Sequence, residues 1–215
     1  MFVSNRMTAN PITIDADATI VEAAELMKTH KFRRLPIMEK GKLVGIVTDR
    51  DLREVAPSPA TTLSVYELNY LLAKMKVRDI MKKNVITVSP TATIEQAALI
   101  LYKEKIGGLV VVDTAGEVVG LITETDIFKT FVDAMGITCG KTTRITIDVN
   151  DQVGILSEIT AIFKDLNANI TSLLLYPMNG SRYEMVIRCD TDDPEGLRKR
   201  LEESGYSVVH MGQIC

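Results

Sequence analysis

Sliding the chain 74 residues along itself superposes Met7 on Met81, Ile12-Thr13 on Ile86-Thr87, Ala18-Thr19-Ile20 on Ala92-Thr93-Ile94, Ala23-Ala24 on Ala97-Ala98 and Leu35 on Leu109. One extra residue in the second copy moves the offset to 75, which carries Gly41, Val44, Gly45, Thr48 and Asp51 onto Gly116, Val119, Gly120, Thr123 and Asp126. A unit of roughly 50 residues is therefore written twice, and the fold must accommodate two like units. Each copy opens with a short apolar stretch and a Thr-x-x-Glu/Gln capping box, Thr19 to Glu22 and Thr93 to Gln96, which starts a helix. The buried faces recur at i, i+3, i+4, i+7: Ile20, Ala23, Ala24 and Met27, then Ile94, Ala97, Ala98 and Leu101. Two apolar strands follow, at 35–38 and 43–47 around Lys40-Gly41, and at 109–112 and 118–122 around Ala115-Gly116. A second helix begins near Arg50 or Thr125, so the unit reads β-α-β-β-α.

Between the copies, 56–62 is a proline-bearing linker, and 64–76 carries Leu68, Leu71, Leu72 and Met75 at the spacing of a connecting helix. From Thr143 the period changes to the alternation Ile145, Ile147, Val149. A helix is expected from Asp151, with Ile155, Leu156, Ile159, Ile162, Phe163 and Leu166 on one face. Strands at 170–175 and 183–189 come next, then a helix with Asp193 as N-cap, Pro194 in its first turn and Gly205 past its end, then a strand at 207–210. This is a ferredoxin-like βαββαβ order. The expected fold class is α+β, divided as 1–55, a linker and connecting helix 56–76, 77–135, and 142–215.

Composition narrows the function. Lys+Arg 25 against Asp+Glu 28 leaves no excess of positive charge for a polyanion, so nucleic acid is not an expected partner. The imbalance sits in 142–215, with 7 basic and 11 acidic side chains, while 1–141 is nearly neutral at 18 and 17. Apolar runs such as Leu109-Val110-Val111-Val112 fall far short of the ~18 residues of a membrane span, and the first residues lack the pattern of a secretory signal. A cytoplasmic location and no membrane partner are expected. Cys139, Cys189 and Cys215 are widely spaced and read as reduced thiols, and neither His30 nor His210 has a cysteine or carboxylate at ligand spacing. No metal site and no catalytic residues are expected. Gly140-Lys141-Thr142 imitates the end of a phosphate-binding loop, but the leading glycine would fall on Met135, and helix-before-strand is the wrong context.

The doubled unit, with Gly45-Ile46-Val47-Thr48-Asp49-Arg50-Asp51 and Gly120-Leu121-Ile122-Thr123-Glu124-Thr125-Asp126, resembles the CBS domain pair, or Bateman module. Asp79-Ile80-Met81 and Arg34-Leu35-Pro36-Ile37 belong to the same resemblance. Residues 142–215 resemble an ACT domain, with 150–156 as the first strand-to-helix turn, and the combination resembles the acetoin utilization proteins. The resemblance implies a regulatory protein rather than an enzyme, binding an adenine nucleotide (AMP, ADP, ATP or similar) at the CBS units. Asp51 or Asp126 would accept hydrogen bonds from ribose hydroxyls, and Thr48 or Thr123 would donate to a phosphate beside a helix N-terminus. The strands around Ile12-Thr13 and Ile86-Thr87 would flank adenine, which brings in Thr13 and Thr87. Thr-x-x-Asp is equally a capping-box pattern, and both readings stand at this point.

Where phosphate charge needs an answer the copies differ: Arg33, Arg34, Arg50 and Arg53 face Gly107, Gly108, Thr125 and Phe128 as counterparts. Arg34 and Arg50, which flank the motif strands, are the expected phosphate contacts, against the alternative of a solvated basic face. In the ACT part, Asn150 and Asp151 can bind an amino acid's ammonium or cap the helix, and Gly154 permits close approach. The resulting expectation is a homo-oligomer, at least a dimer, that senses small molecules and acts on an unidentified target protein. The competing class is a structural adaptor whose ligand sites are vestigial.

Overall fold

A computed structural model of the chain describes residues 1–55, 74–137 and 142–214. The linker 56–62 and, but for its last three residues, the connecting helix expected at 64–76 lie outside the described residues, as do Cys139, Gly140, Lys141 and Cys215. The chain divides into two compact units, Met1–Ile127 and Phe128–Cys215.

In the first unit a 3-10 turn at Val3–Asn5 and strand β1 (Thr8–Ala9) precede copy one, which is β2 (Ile14–Asp15), α1 (Ile20–His30), β3 (Arg34–Glu39), β4 (Lys42–Thr48) and α2 (Asp49–Glu54). Helix α3 (Val77–Ile80) precedes copy two, which is β5 (Thr87–Val88), α4 (Ile94–Glu104), β6 (Gly108–Val112), β7 (Val118–Thr123) and α5 (Glu124–Ala134), whose residues from Phe128 on are counted to the second unit. Both capping boxes form: Glu22 Oε2 accepts from the Thr19 amide at 2.7 Å and Gln96 Oε1 from the Thr93 amide at 2.9 Å. Lys31 and Lys105 end these helices in the left-handed conformation, with φ 57° and 53°. The apolar spacing places Ile20, Ala23 and Met27 in one core and Ile94, Ala97 and Leu101 in the other, whereas Ala24, expected inside, is exposed. The first strand of copy one lies at Ile14–Asp15, not around Ile12-Thr13. Pairing of Ile14 with Ile37 buries Ile14 to 7 % exposure and leaves Ile12 at 39 %, so the later isoleucine takes the inward position.

The two copies exchange their lead-in segments. Strand β1 pairs with β7 of copy two, Thr8 opposite Leu121 and Ala9 opposite Gly120, while Lys82, ahead of copy two, bridges Ile46 of copy one. The backbone bonds repeat with the sequence: Val3 N donates to Ala92 O at 2.9 Å, and Val77 N donates to Ala18 O at 2.9 Å. Val3 is fully buried in the core of copy two and Val77 in that of copy one. The repeated glycines follow from this exchange. A Cβ on Gly45 would run into the Met81 side chain, and one on Gly120 into Met7, so the strand must be bare where the partner copy's methionine crosses it.

The second unit contains β8 (Thr142–Asn150), α6 (Ile155–Asp165), β9 (Asn169–Pro177), β10 (Arg182–Asp190), α7 (Pro194–Glu203) and β11 (Ser207–Ile214), in an antiparallel sheet ordered β11-β8-β10-β9. Its core joins Ile145, Ile147 and Val149 to Ile159, Phe163 and Leu197. Asp193 caps α7 by accepting from Gly196 N at 2.9 Å, and Gly205 follows with φ 89°. Helix α6 begins at Ile155 rather than Asp151. Asp151 N is held by Ser181 O at 2.8 Å, and Gly154, at φ 94°, stands outside the right-handed helical region. Gly154 is the N-cap residue, so neither Asn150 nor Asp151 caps the helix. Leu156 and Leu166, expected on the buried face, are 41 % and 40 % exposed. Cys189 is a free thiol buried in this core, and burial, with Asp190 adding to it, pushes its pKa up to about 11. Among the described residues no helix is long and apolar enough to cross a membrane.

Candidate functional site

The first turns of α2 and α5 are built alike. Asp51 Oδ2 accepts from the Thr48 amide at 2.8 Å and from the Thr48 hydroxyl at 2.5 Å, and Thr48 Oγ1 in turn accepts from Asp51 N at 3.3 Å. Asp126 Oδ2 accepts from the Thr123 amide at 2.8 Å and its hydroxyl at 2.7 Å. The full capping box of Thr-x-x-Asp forms in copy one and its aspartate half in copy two, and each threonine directs its hydroxyl proton to its aspartate rather than outward. A phosphate contact from Thr48 would require that hydroxyl to turn. Helix α2 has six residues and carries Asp49 and Asp51 in its first turn, so attraction for an anion must come from side chains rather than from the helix dipole.

Those side chains converge on a cavity of about 410 Å³ between the copies. Copy one contributes Arg33, Arg34, Thr48, Asp49, Arg50 and Arg53, the lead-in of copy two contributes Lys82, Asn84 and Ile86, and copy two contributes Lys105, Gly107 and Gly108. Six cationic side chains meet one carboxylate on this wall. Asp49 is paired with Arg53 at 2.7 Å, and Arg50 reaches Glu54 at 3.0 Å. Arg34 is half-buried, and burial holds its guanidinium below the usual arginine range while Glu124 and Asp49 act in the opposite direction. Its place exists because copy two is bare there. A Cβ on Gly107 would overlap the Arg34 guanidinium, and one on Gly108 would stand 3.0 Å from Arg34 Cδ. The glycines that replace arginine in the repeat therefore make room for the arginine of the other copy.

Arg34, Thr48 and Arg50, read from the sequence as nucleotide contacts, all reach this cavity, and Arg33 and Arg53 join them. Asp51 does not line it: it is 8 % exposed, with Lys82 Nζ 3.4 Å from Oδ1. Thr13 and Thr87 are not on its wall, and Thr123 and Asp126 occupy the corresponding turn of copy two. Lys82 and Lys105 were not among the residues singled out from the sequence. Lys105 was legible as the counterpart of Lys31, but only the exchange of lead-ins brings Lys82 to copy one. In the second unit a hollow of about 290 Å³ is lined by Asp151, Gln152, Gly154, Ile155, Leu175 and Tyr183, among others, and Asn150 is not on its wall. No Cβ on Gly154 would meet an atom within 4 Å, so its φ, not crowding, calls for glycine. No group of three or more His, Cys, Asp or Glu able to hold a metal occurs among the described residues.

The CBS domain family model matches residues 3–58 and 77–133, and the ACT domain model matches 143–206. A CBS domain-containing protein of Dictyostelium discoideum is 30% identical over 136 residues, which is 63% of this chain and 94% of that protein. The inosine-5'-monophosphate dehydrogenase of Aquifex aeolicus is 35% identical over 124 residues, but the match spans only 23% of that enzyme. Among solved structures, a CBS domain pair in complex with 5-methylthioadenosine and S-adenosyl-L-methionine has a TM-score of 0.51 at 30% identity, covering 62% of this chain and 97% of that one. A CBS protein in complex with AMP has a TM-score of 0.51 at 27% identity, covering 61% and 96%. A Vibrio cholerae protein named for acetoin utilization has a TM-score of 0.52 at 29% identity, covering 64% and 94%.

Proposed function

Because the chain belongs to the CBS-domain family, with an ACT domain following the CBS pair, we propose that it is a ligand-sensing regulatory protein that binds an adenine nucleotide between its two CBS copies. The observation that carries this reading is the cavity on which Arg34, Arg50 and Lys82 converge beside a buried Asp51. Phosphates meet the cations, and the ribose hydroxyls meet the carboxylate. The protein makes no bonds. Its ligand shifts the population of arrangements by binding one of them more tightly, and a target protein reads the result. The ACT hollow around Asp151 and Gly154 takes an amino acid in the same scheme, or serves as a contact between copies of a cytoplasmic homo-oligomer. Likeness to the Vibrio protein extends the proposal to acetoin utilization.

A thermal-shift panel on the full chain tests this: adenine nucleotides raise the melting temperature in proportion to the logarithm of their concentration. No shift with any nucleotide or amino acid favours the second reading, an adaptor whose sites are vestigial. The observation behind that reading is the internal satisfaction of both Thr-x-x-Asp turns. A light-scattering mass of 23.8 kDa at micromolar concentration overturns the oligomer in either case.

A further inference from the structure

Lys82 stands where one copy's lead-in crosses the other copy's sheet. Its backbone is fixed in both directions, Lys82 N to Ile46 O at 2.9 Å and Ile46 N to Lys82 O at 3.0 Å. Ile46 lies two residues before the Thr48 turn, so this bridge delivers the Lys82 ammonium to Asp51, 3.4 Å from Oδ1. The other oxygen, Oδ2, already accepts two hydrogen bonds from Thr48. A carboxylate offers about four acceptor positions, so those on Oδ1 are what a ribose needs. The ammonium stands on that oxygen. The Lys82 side chain is 67% exposed and lines the cavity, whereas Asp51 lies behind it and does not.

We propose that Lys82 is a phosphate-dependent gate on Asp51, a specificity device resting on the nucleotide reading of this cavity. As the side chains stand, the ammonium competes with ribose hydroxyls for Oδ1. A ligand carrying phosphates toward Arg34 and Arg50 offers the ammonium a second anionic partner within the same cavity, so Lys82 leaves Asp51 without losing its ion pair. A nucleoside has no such partner to offer and must displace Lys82 uncompensated. Copy two has no equivalent, because the residue corresponding to Lys82 is Thr8, opposite Leu121. The device belongs to the first site alone, and it selects against adenosine rather than merely for charge.

Calorimetric titration of the full chain and of Lys82→Met with adenosine and ATP separates this from a general electrostatic role. ATP affinity falls about ten-fold in the variant, the loss of one charge-assisted contact. Adenosine affinity rises about two- to five-fold, the range expected when an exposed ion pair no longer competes. Lys82→Arg retains the preference for ATP. Equal weakening of both ligands, or no change in either, overturns the gate while leaving the nucleotide reading intact. Absence of binding to the unsubstituted chain overturns that reading and the gate with it.

Discussion

The strand-to-helix turn of copy one and that of copy two share a backbone and differ in charge. In both turns the aspartate accepts from the threonine amide and hydroxyl, at distances that agree within about 0.2 Å. Around them Arg34, Arg50, Arg53 and Lys82 correspond to Gly108, Thr125, Phe128 and Thr8. The geometry of the turn is thus held by the repeat, while the charge around it lies in side chains that the repeat does not share. The two sites are not independent either, since Arg34 of one copy rests over Gly107 and Gly108 of the other. Duplication supplied two like frames, and their contact face lets one copy lend its charge only where the other has given up its side chains.

The largest expected effect tests that asymmetry. Asp51→Ala and Asp126→Ala each remove one capping carboxylate, which costs about 1 kcal/mol of stability in either case. Their effects on ATP binding are unequal: Asp51→Ala weakens it about a hundred-fold, the loss of two hydrogen bonds to a charged acceptor, and Asp126→Ala weakens it far less. Adenosine discriminates less between the two variants. ATP affinity lost through Asp126→Ala but untouched by Asp51→Ala would show the basic cluster to be solvated surface.

A smaller effect tests the equivalence of the frames. Val77→Ala and Val3→Ala each empty a fully buried position in the opposite copy's core, at a cost of about 2 kcal/mol in urea unfolding. Similar losses from both would support a symmetric exchange, whereas a negligible loss from Val3→Ala would mean that the first lead-in is only loosely held. This exchange was the part of the fold hidden from the sequence. The repeat, the capping boxes at Thr19 and Thr93, the hairpin turns and the ferredoxin-like order were legible because each is a local pattern. Which copy receives Val3 or Val77 depends on contacts about 59–89 residues apart in sequence, and no local period encodes it. The candidate site was legible to the same extent. Arg34, Thr48 and Arg50 reach the cavity from the motif that marks them in the sequence, Lys82 carries no such mark because its partner strand lies in the other copy, and Thr13 and Thr87 are off the wall although Ile86, beside Thr87, is on it. The helix start at Asp151 was misplaced because apolar spacing says nothing of Gly154's φ.

The smallest effect concerns how each lead-in is held from outside. In copy one, Lys76 Nζ lies 2.6 Å from Asp17 Oδ1 and Arg78 lies 2.8 Å from Oδ2, whereas the corresponding residues in copy two are Thr91, Phe2 and Ser4, all neutral. The hydrogen bond from Lys76 holds the Asp17 carboxyl below its ordinary 3.8, Arg78 adds to the lowering, and desolvation works against it. A carboxylate whose pKa is depressed by folding contributes stability fully above its unfolded value and loses it as the pH falls through the folded one. Asp17→Asn therefore lowers the melting temperature slightly at neutral pH and low salt. Its difference from the parent chain closes as the pH falls below about 4, and also in about 1 M salt, because the pair is exposed and screened. Thr91→Val, at the matching place in copy two, shifts the melting temperature by an amount that does not depend on pH. A difference between Asp17→Asn and the parent that persisted unchanged at about pH 2.5 would show that the aspartate acts through its shape rather than its charge. The lead-in contact on copy one would then be as neutral as that on copy two.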